Sequence, residues 1–309
     1  MNKSDLSSID RVAKALVEQR YIADRALATT VYLAISLEKP IFLEGEAGVG
    51  KTELAKVLAK ILGTELIRLQ CYEGLDTHTA LYEWDYPRQM LEVRLQEARG
   101  VEKEKIGADI FSEEFLLQRP LLRAIQAEGP KAPVLLIDEV DRSDEEFEAF
   151  LLEVLSDFQI TVPEIGTLTA RQIPVVVLTS NRTRELHDAL KRRCLYHWID
   201  YPDVDKEAEI VRARVPGIEG RLAAQLAYFM GRIRSEDLYK RPGIAETIDW
   251  AEALLVLGAT ELDAETVDAT LGCILKYKGD MDRLRASGLG NLAEDARQAR
   301  DFAAAPMTR

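Results

Sequence analysis

Apolar residues recur at helical spacing through Ile9, Val12, Ala13, Leu16 and Val17, which predicts a helix ahead of the interruption Tyr21-Ile22-Ala23-Asp24. A second helix runs over 26–37 and stops short of Pro40, because the residue before a proline avoids the helical region. Ile41-Phe42-Leu43 is too short and too uniformly apolar for a helix and reads as a buried strand, followed at once by a glycine-rich turn. Leu54, Leu58, Ile61 and Leu62 share one face of a helix over 51–62, with Gly63 as its C-cap, and 65–70 reads as the next strand. Residues 86–98 are expected to be helical, the charge-rich stretch 100–108 a solvated loop, and 115–127 a helix interrupted at Pro120.

Val134-Leu135-Leu136-Ile137 has the unbroken apolar character of a strand covered on both faces of a parallel sheet. Ser143, with Glu146 three residues on, reads as a capping box ahead of a helix whose core stripe is Phe147, Phe150, Leu151, Val154 and Leu155. The period then changes to two. Phe158, Ile160 and Val162 alternate with Gln159 and Thr161, and the turn Pro163-Glu164-Ile165-Gly166 makes 158–173 a hairpin. A buried strand over 175–178, a short helix over 185–190 and a last strand over 195–199 follow. Beyond Tyr201-Pro202-Asp203 the pattern is helical throughout, over 205–214, 218–232, 243–257, 263–277 and 291–304. Strands alternating with helices predict an α/β domain with a parallel sheet over 1–203, and an all-α domain over 204–309.

Composition narrows the function classes. The chain has 309 residues, 47% of them hydrophobic and 30% charged, the balance of a soluble globular protein. No run approaches the ~20 apolar residues of a membrane span. The polar start Met1-Asn2-Lys3-Ser4-Asp5 is not a secretory h-region, so a cytoplasmic location is expected. A net charge of −13 repels phosphate backbones and argues against a nucleic-acid partner. Cys71, Cys194 and Cys273 form no CxxC pair, and His78, His187 and His197 are isolated, which reads as core thiols and ordinary imidazoles rather than a zinc site.

Four features carry chemistry. The first is Gly45-Glu46-Ala47-Gly48-Val49-Gly50-Lys51-Thr52, a full G-x-x-x-x-G-K-[ST] match between a predicted strand and a predicted helix. Its glycines let consecutive N–H groups turn inward around phosphate oxygens, and the helix start adds its positive end. Lys51 is expected on the β- and γ-phosphates and Thr52 on Mg²⁺. The second is Asp138-Glu139 at the end of the 134–137 strand, where Asp138 would anchor the metal through water and Glu139 polarise an attacking water. The third, Asn181 after the 175–178 strand, is placed to sense the terminal phosphate; the fourth, Lys191-Arg192-Arg193, offers a positive charge to a neighbour's γ-phosphate.

In this order and spacing, with a helical domain behind them, these features resemble the AAA+ ATPases, and within them the MoxR group. The likeness rests on 21–24, on 43–55, on Arg68-Leu69-Gln70-Cys71-Tyr72-Glu73-Gly74-Leu75-Asp76, on 138–142 and on 179–186, and it covers residues 5–260. The stretch 190–198 looks most like the CoxD-type branch, associated with maturing the copper–molybdenum site of carbon monoxide dehydrogenase.

The resemblance implies a P-loop NTPase αβα sandwich with a C-terminal all-α lid, ATP and Mg²⁺ as cofactors, and phosphate-loop contacts from Glu46, Ala47, Gly48, Val49, Gly50, Lys51, Thr52 and Glu53. Tyr21 and Ile22 would line the adenine pocket, Asn181 be sensor 1 and Arg241 sensor 2. Arg193 would be the arginine finger, with Arg192 in reserve, although the family's usual Arg-Phe is Arg193-Cys194 here. A finger acting in trans implies a homo-oligomeric ring, and a hexamer is expected. Implied partners are a von Willebrand factor A domain protein and a client metalloenzyme such as a molybdenum hydroxylase. The hairpin and the 75–110 insertion would face substrate, leaving Tyr72, Leu75, Tyr82 and Trp84 as either remodelling contacts or core. Two other functions suit the same motifs, a nucleic-acid motor or loader and a nucleotide-gated scaffold.

Overall fold

A computed structural model of the chain describes residues 5–100 and 110–298; the loop expected over 100–108 lies, but for Gly100, outside them. In chain order the elements are α1 (Ile9–Glu18), α2 (Arg25–Leu37), β1 (Ile41–Gly45), α3 (Lys51–Leu62), β2 (Leu66–Gln70), α4 (Thr77–Ala80), β3 (Tyr82–Trp84), α5 (Tyr86–Ala98) and β4 (Leu116–Gln118). Next come α6 (Pro120–Ile125), β5 (Val134–Asp138), α7 (Glu145–Asp157), β6 (Gln159–Val162), β7 (Gly166–Thr169), β8 (Val175–Ser180), α8 (Asp188–Arg193) and β9 (Leu195–Ile199). The remainder is helical: α9 (Val204–Arg214), α10 (Gly220–Arg234), α11 (Ile244–Val256), α12 (Ala264–Ile274), α13 (Lys278–Ala286) and α14 (Leu289–Gln298). Contacts group the chain into two units. One holds the residues up to Val12, Arg25–Glu44 and Thr52–Trp198; the other holds Ala13–Asp24, Gly45–Lys51 and everything from Ile199 on.

The first unit is built on a sheet in the order β2-β5-β8-β1-β9, and the pairs β2/β5, β5/β8 and β8/β1 are parallel. Every residue of β5 and β8 is buried, as their unbroken apolar runs require of central strands. Phe42, Leu135, Ile137, Val176 and Leu178 form the middle of its core, with Phe147, Leu151 and Val154 from α7 packed over them. From β1 the chain crosses to β2 on one side, and from β8 it returns to β9 on the other. The strand order therefore reverses between β1 and β8, the position at whose carboxyl end ligands of open α/β sheets bind. The β6/β7 hairpin pairs Gln159 with Thr169 and Val162 with Gly166.

The sequence pattern misses several local details. The stretch expected to be one helix over 115–127 begins as a short strand. Leu116–Gln118 pairs antiparallel with Tyr82–Trp84, and Pro120 opens a helix rather than interrupting one, because its missing N–H is no loss in a first turn. Leu75, Tyr82 and Trp84 are buried there, while Tyr72 is exposed. The cap of α7 is Asp144, whose carboxylate accepts from Phe147 N–H at 2.8 Å, while Ser143 Oγ donates to Val140 O. The helix expected over 185–190 starts later, at Asp188, capped by His187, so Lys191, Arg192 and Arg193 form its last turn, where cations complement the helix dipole.

The second unit buries Trp250 against Phe229 (5.3 Å between ring centroids), with Met230, Leu254, Val267 and Leu271 around them. The single helix expected over 263–277 ends at Ile274, and a separate α13 follows; α14 begins at Leu289, and the expected stretch past 298 lies outside the described residues. No helix among the described residues is long and apolar enough to cross a membrane.

Candidate nucleotide site

Asp138 closes β5 at 2% exposure, where a carboxylate must find partners. It has them on both oxygens. Oδ1 accepts from Thr52 Oγ1 at 2.9 Å, in the first turn of α3, and from Thr179 Oγ1 at 2.6 Å, near the end of β8. Oδ2 accepts from Arg68 Nε at 3.0 Å and Nη2 at 2.5 Å. Thr52 spends its one hydrogen on Asp138, which leaves its lone pairs for a cation. A hydroxyl backed by a carboxylate is a donor set that suits Mg²⁺, a hard ion that prefers oxygen.

Glu139 follows in a left-handed backbone conformation (φ 55°), and its N–H donates to Thr179 Oγ1 at 2.9 Å. Its carboxylate receives Gln70 Nε2 at 3.0 Å, Asn181 Nδ2 at 3.3 Å and Arg142 Nε at 3.0 Å. Asn181 is itself placed by the buried Asp141. One oxygen of Asp141 takes the N–H groups of Asn181 (3.2 Å) and Thr183 (2.8 Å) and the Thr183 hydroxyl (2.7 Å). Burial, and then the negative charge of Asp138, Asp141 and Glu139, pushes the neighbouring Cys71 thiol up to about 12, so it stays a neutral thiol.

These contacts bring Thr52, Asp138, Glu139 and Asn181 together. They also add Arg68, Gln70, Thr179 and Asp141, whose roles no motif in the sequence announces. Arg68 and Gln70 did leave a signal, being polar at alternate positions of β2 and so on one face of it, in register with Leu136 and Asp138 of β5.

Within the second unit, the loop Gly45–Lys51 is curled by Gly48 (φ 78°) and Gly50 (φ 96°), conformations that side chains with a Cβ rarely adopt. Glu46, Ala47 and Gly48 are exposed at its tip, while Val49 is buried beneath. Lys51 is 6% exposed and its Nζ donates to the carbonyls of Gly45 (2.8 Å) and Glu46 (2.6 Å). Three distant segments press on this loop. Tyr21 donates its hydroxyl to Gly50 O at 3.4 Å. The Ile199 carbonyl lies 2.2 Å from where a Cβ on Gly45 would be. At the start of α11, the N–H groups of Ile244 and Ala245 donate to Gly48 O at 2.9 and 3.3 Å.

Ile22 is half-buried beside Tyr21, and Glu53 pairs with Lys56 at 3.3 Å. Arg241 is exposed. Its charge and that of Arg234 oppose the burial and the Glu46 carboxylate that together raise the Tyr201 phenol above its usual range. Arg192 and Arg193 are exposed, and neither makes an ion pair among the described residues.

Residues 40–194 match the AAA domain of the dynein-related subfamily. The chain belongs to the AAA+ ATPase family. An uncharacterized protein of Staphylococcus aureus (strain bovine RF122 / ET3-1) is similar to this AAA+ chain at 27% identity over 229 residues, covering 72% of this chain and 77% of the relative. An uncharacterized protein of strain NCTC 8325 / PS 47 is 26% identical over 229 residues, with the same coverage. Among solved structures, the Thermotoga maritima RuvB Holliday junction branch migration motor is 20% identical with a TM-score of 0.44, over 88% of this chain and 73% of that one. The P216G mutant of the same RuvB is 19% identical with a TM-score of 0.47, over 88% and 72%.

Proposed function

We propose that this AAA+ protein hydrolyses ATP as a ring-forming remodeller of the MoxR type, with residues 1–203 as its nucleotide-binding domain and 204–309 as a helical lid. The observation that carries the reading is the meeting of Thr52, in the first turn of α3, with Thr179 and Asp138 beside Glu139 and Asn181, at the carboxyl ends of parallel strands. The main chain of 45–50 and the Lys51 ammonium hold the phosphates. Thr52 and Asp138 hold Mg²⁺, which when bound neutralises charge on the phosphate oxygens. Glu139 takes the proton of the attacking water, and Asn181 orients that water against the terminal phosphate. Tyr21 and Ile22 border the base and Arg241 reaches the phosphates from the lid. Arg193, exposed at a helix end and without an ion pair among the described residues, completes a neighbouring subunit's site in a hexameric ring.

The resemblance to the MoxR group, and to its CoxD-type branch, extends the reading to the biological task. The ring activates a client metalloenzyme, such as a molybdenum hydroxylase, by helping to insert its metal cofactor, together with a von Willebrand factor A domain partner.

Variants at three positions test the enzymology. Lys51→Ala should lose nucleotide binding. Glu139→Gln should bind ATP and fail to turn it over; an unchanged, negligible rate in both proteins would support a nucleotide-gated scaffold instead. Arg193→Ala should bind normally and hydrolyse about 10³-fold more slowly, in the range of fingers supplied in trans. Normal turnover in both Arg193→Ala and Arg192→Ala would end the in-trans proposal. Turnover stimulated by DNA with a steep salt dependence would support a nucleic-acid motor. Glu139→Gln, held in the ATP state, is the bait for capturing a von Willebrand factor A protein or a client.

A further inference from the structure

The second unit contains a buried ion pair that hydrophobic packing alone does not call for. Glu207 on α9 is 0% exposed and Arg234, the last residue of α10, is 7% exposed. The guanidinium grips the carboxylate with two nitrogens, Nη1 to Oε2 at 2.5 Å and Nη2 to Oε1 at 2.7 Å, and lies 4.8 Å from the centre of the Tyr201 ring. Removing two charges from water offsets most of their attraction, so apolar residues of the same volume would serve a helical core about as well. A guanidinium can do one thing an apolar side chain cannot. Its remaining face donates, through Nε, to the carbonyl of Pro242 at 2.8 Å.

That carbonyl belongs to the peptide entering Gly243. That same peptide is held at its other end, where Gly243 N–H donates to Glu246 Oε2 at 2.9 Å. In the next peptide, Gly243 O lies 3.2 Å from Thr247 Oγ1, which donates to Glu207 Oε1 at 2.6 Å. Gly243 in turn is seated on the phosphate loop so closely that a Cβ there would lie 2.8 Å from both Ala47 O and Gly48 Cα. The amides that follow bind Gly48 O. Because the peptide is planar, turning Gly48 O toward α11 also sets the direction of Val49 N–H, a donor of the curled loop.

We infer that Arg234 is a positioning residue for the phosphate loop: gripped by Glu207, it fixes the Pro242–Gly243 main chain that seats Gly48. The consequence for nucleotide affinity rests on the proposed ATPase function; the positioning itself does not.

Arg234→Lys in the full chain separates the two roles of the side chain. Lysine keeps the charge opposite Glu207 but cannot grip both carboxylate oxygens and Pro242 O together. Hydrogen exchange of the ligand-free protein should accelerate about tenfold at the amides of 45–51 and 243–245, the scale of one lost hydrogen bond. The dissociation constant for methylanthraniloyl-ATP with Mg²⁺ should rise by a similar factor. Thr247→Val should move both readouts the same way by about threefold, and it decides the matter if Arg234→Lys does not fold. The control is Thr270→Val, which removes a buried 2.8 Å bond from Trp250 Nε1 in the same unit without touching the loop. It should lower the melting temperature and leave loop exchange and affinity unchanged. Loop exchange at the wild-type rate in a folded Arg234→Lys protein overturns the inference, as does an equal acceleration in Thr270→Val. Failure of the wild type to bind the ATP probe would instead remove the proposed function, with the exchange comparison still deciding the positioning role.

Discussion

Thr179→Val removes one hydroxyl and almost no volume, at a position 1% exposed. That hydroxyl donates to Asp138 Oδ1 at 2.6 Å and accepts from Glu139 N–H at 2.9 Å. A hydrogen bond to a charged group contributes about 1.5–3 kcal/mol, and a buried N–H left without an acceptor costs about 1–3 kcal/mol. The variant should therefore lose roughly 3–5 kcal/mol, a large part of the ~5–15 kcal/mol that a folded domain has. Glu139 adds to the effect. Its left-handed φ of 55° is an unfavourable conformation for a residue with a Cβ, and the Thr179 hydroxyl is the acceptor that holds its amide. Urea unfolding should show the midpoint falling with an unchanged slope. On the proposed mechanism kcat should fall more than affinity, since Glu139 shifts while Gly45–Lys51 keeps its own contacts. A loss below about 1 kcal/mol would refute the claim that this hydroxyl holds the two carboxylate residues in place.

Gly243→Ala should destabilise the chain by about 1–3 kcal/mol through overpacking and weaken ATP binding, although its φ of −86° suits any residue; unchanged melting and binding would show that the loop gives way freely. Gly272→Ala carries the opposite sign, because Gly272 lies within α12 with open space around its Cβ position, and it should gain about 0.5–1 kcal/mol in a thermal melt. Burial holds the Cys194 thiol, like that of Cys71, near 12. A folded-state pKa above the unfolded value gives stability that is complete below about pH 9 and lost as pH rises toward 12, so the pair should lose roughly 3 kcal/mol by pH 10. Compared between pH 8 and pH 10, Cys71→Ala/Cys194→Ala should lose that much less than the wild type, and parallel losses would contradict the assignment.

Residues 45–52 were legible in the chain because a phosphate-binding main chain needs glycines and a lysine at fixed spacing, and no partner from elsewhere is needed to recognise them. Asp138 and Glu139 were legible for a related reason, since they end an apolar run that has to be a central strand. Arg68, Thr179 and Asp141 were not. Their roles depend on β2, β5 and β8 lying side by side, an order that crosses the chain and is invisible to local period. The strand Leu116–Gln118 escapes the sequence pattern for the same reason, because its conformation is decided by pairing with Tyr82–Trp84 rather than by its own residues.

Local chemistry thus determined most of the elements, the parallel α/β class and the phosphate loop, all of which follow from interactions a few residues apart. Tertiary structure alone decided which hydroxyls and which arginine satisfy Asp138, and that Tyr21, Ile199 and Gly243 converge on one loop. The physical reason is burial. A carboxylate or a tight backbone contact removed from water must find its partners in space, and those partners stand up to two hundred residues apart in the chain.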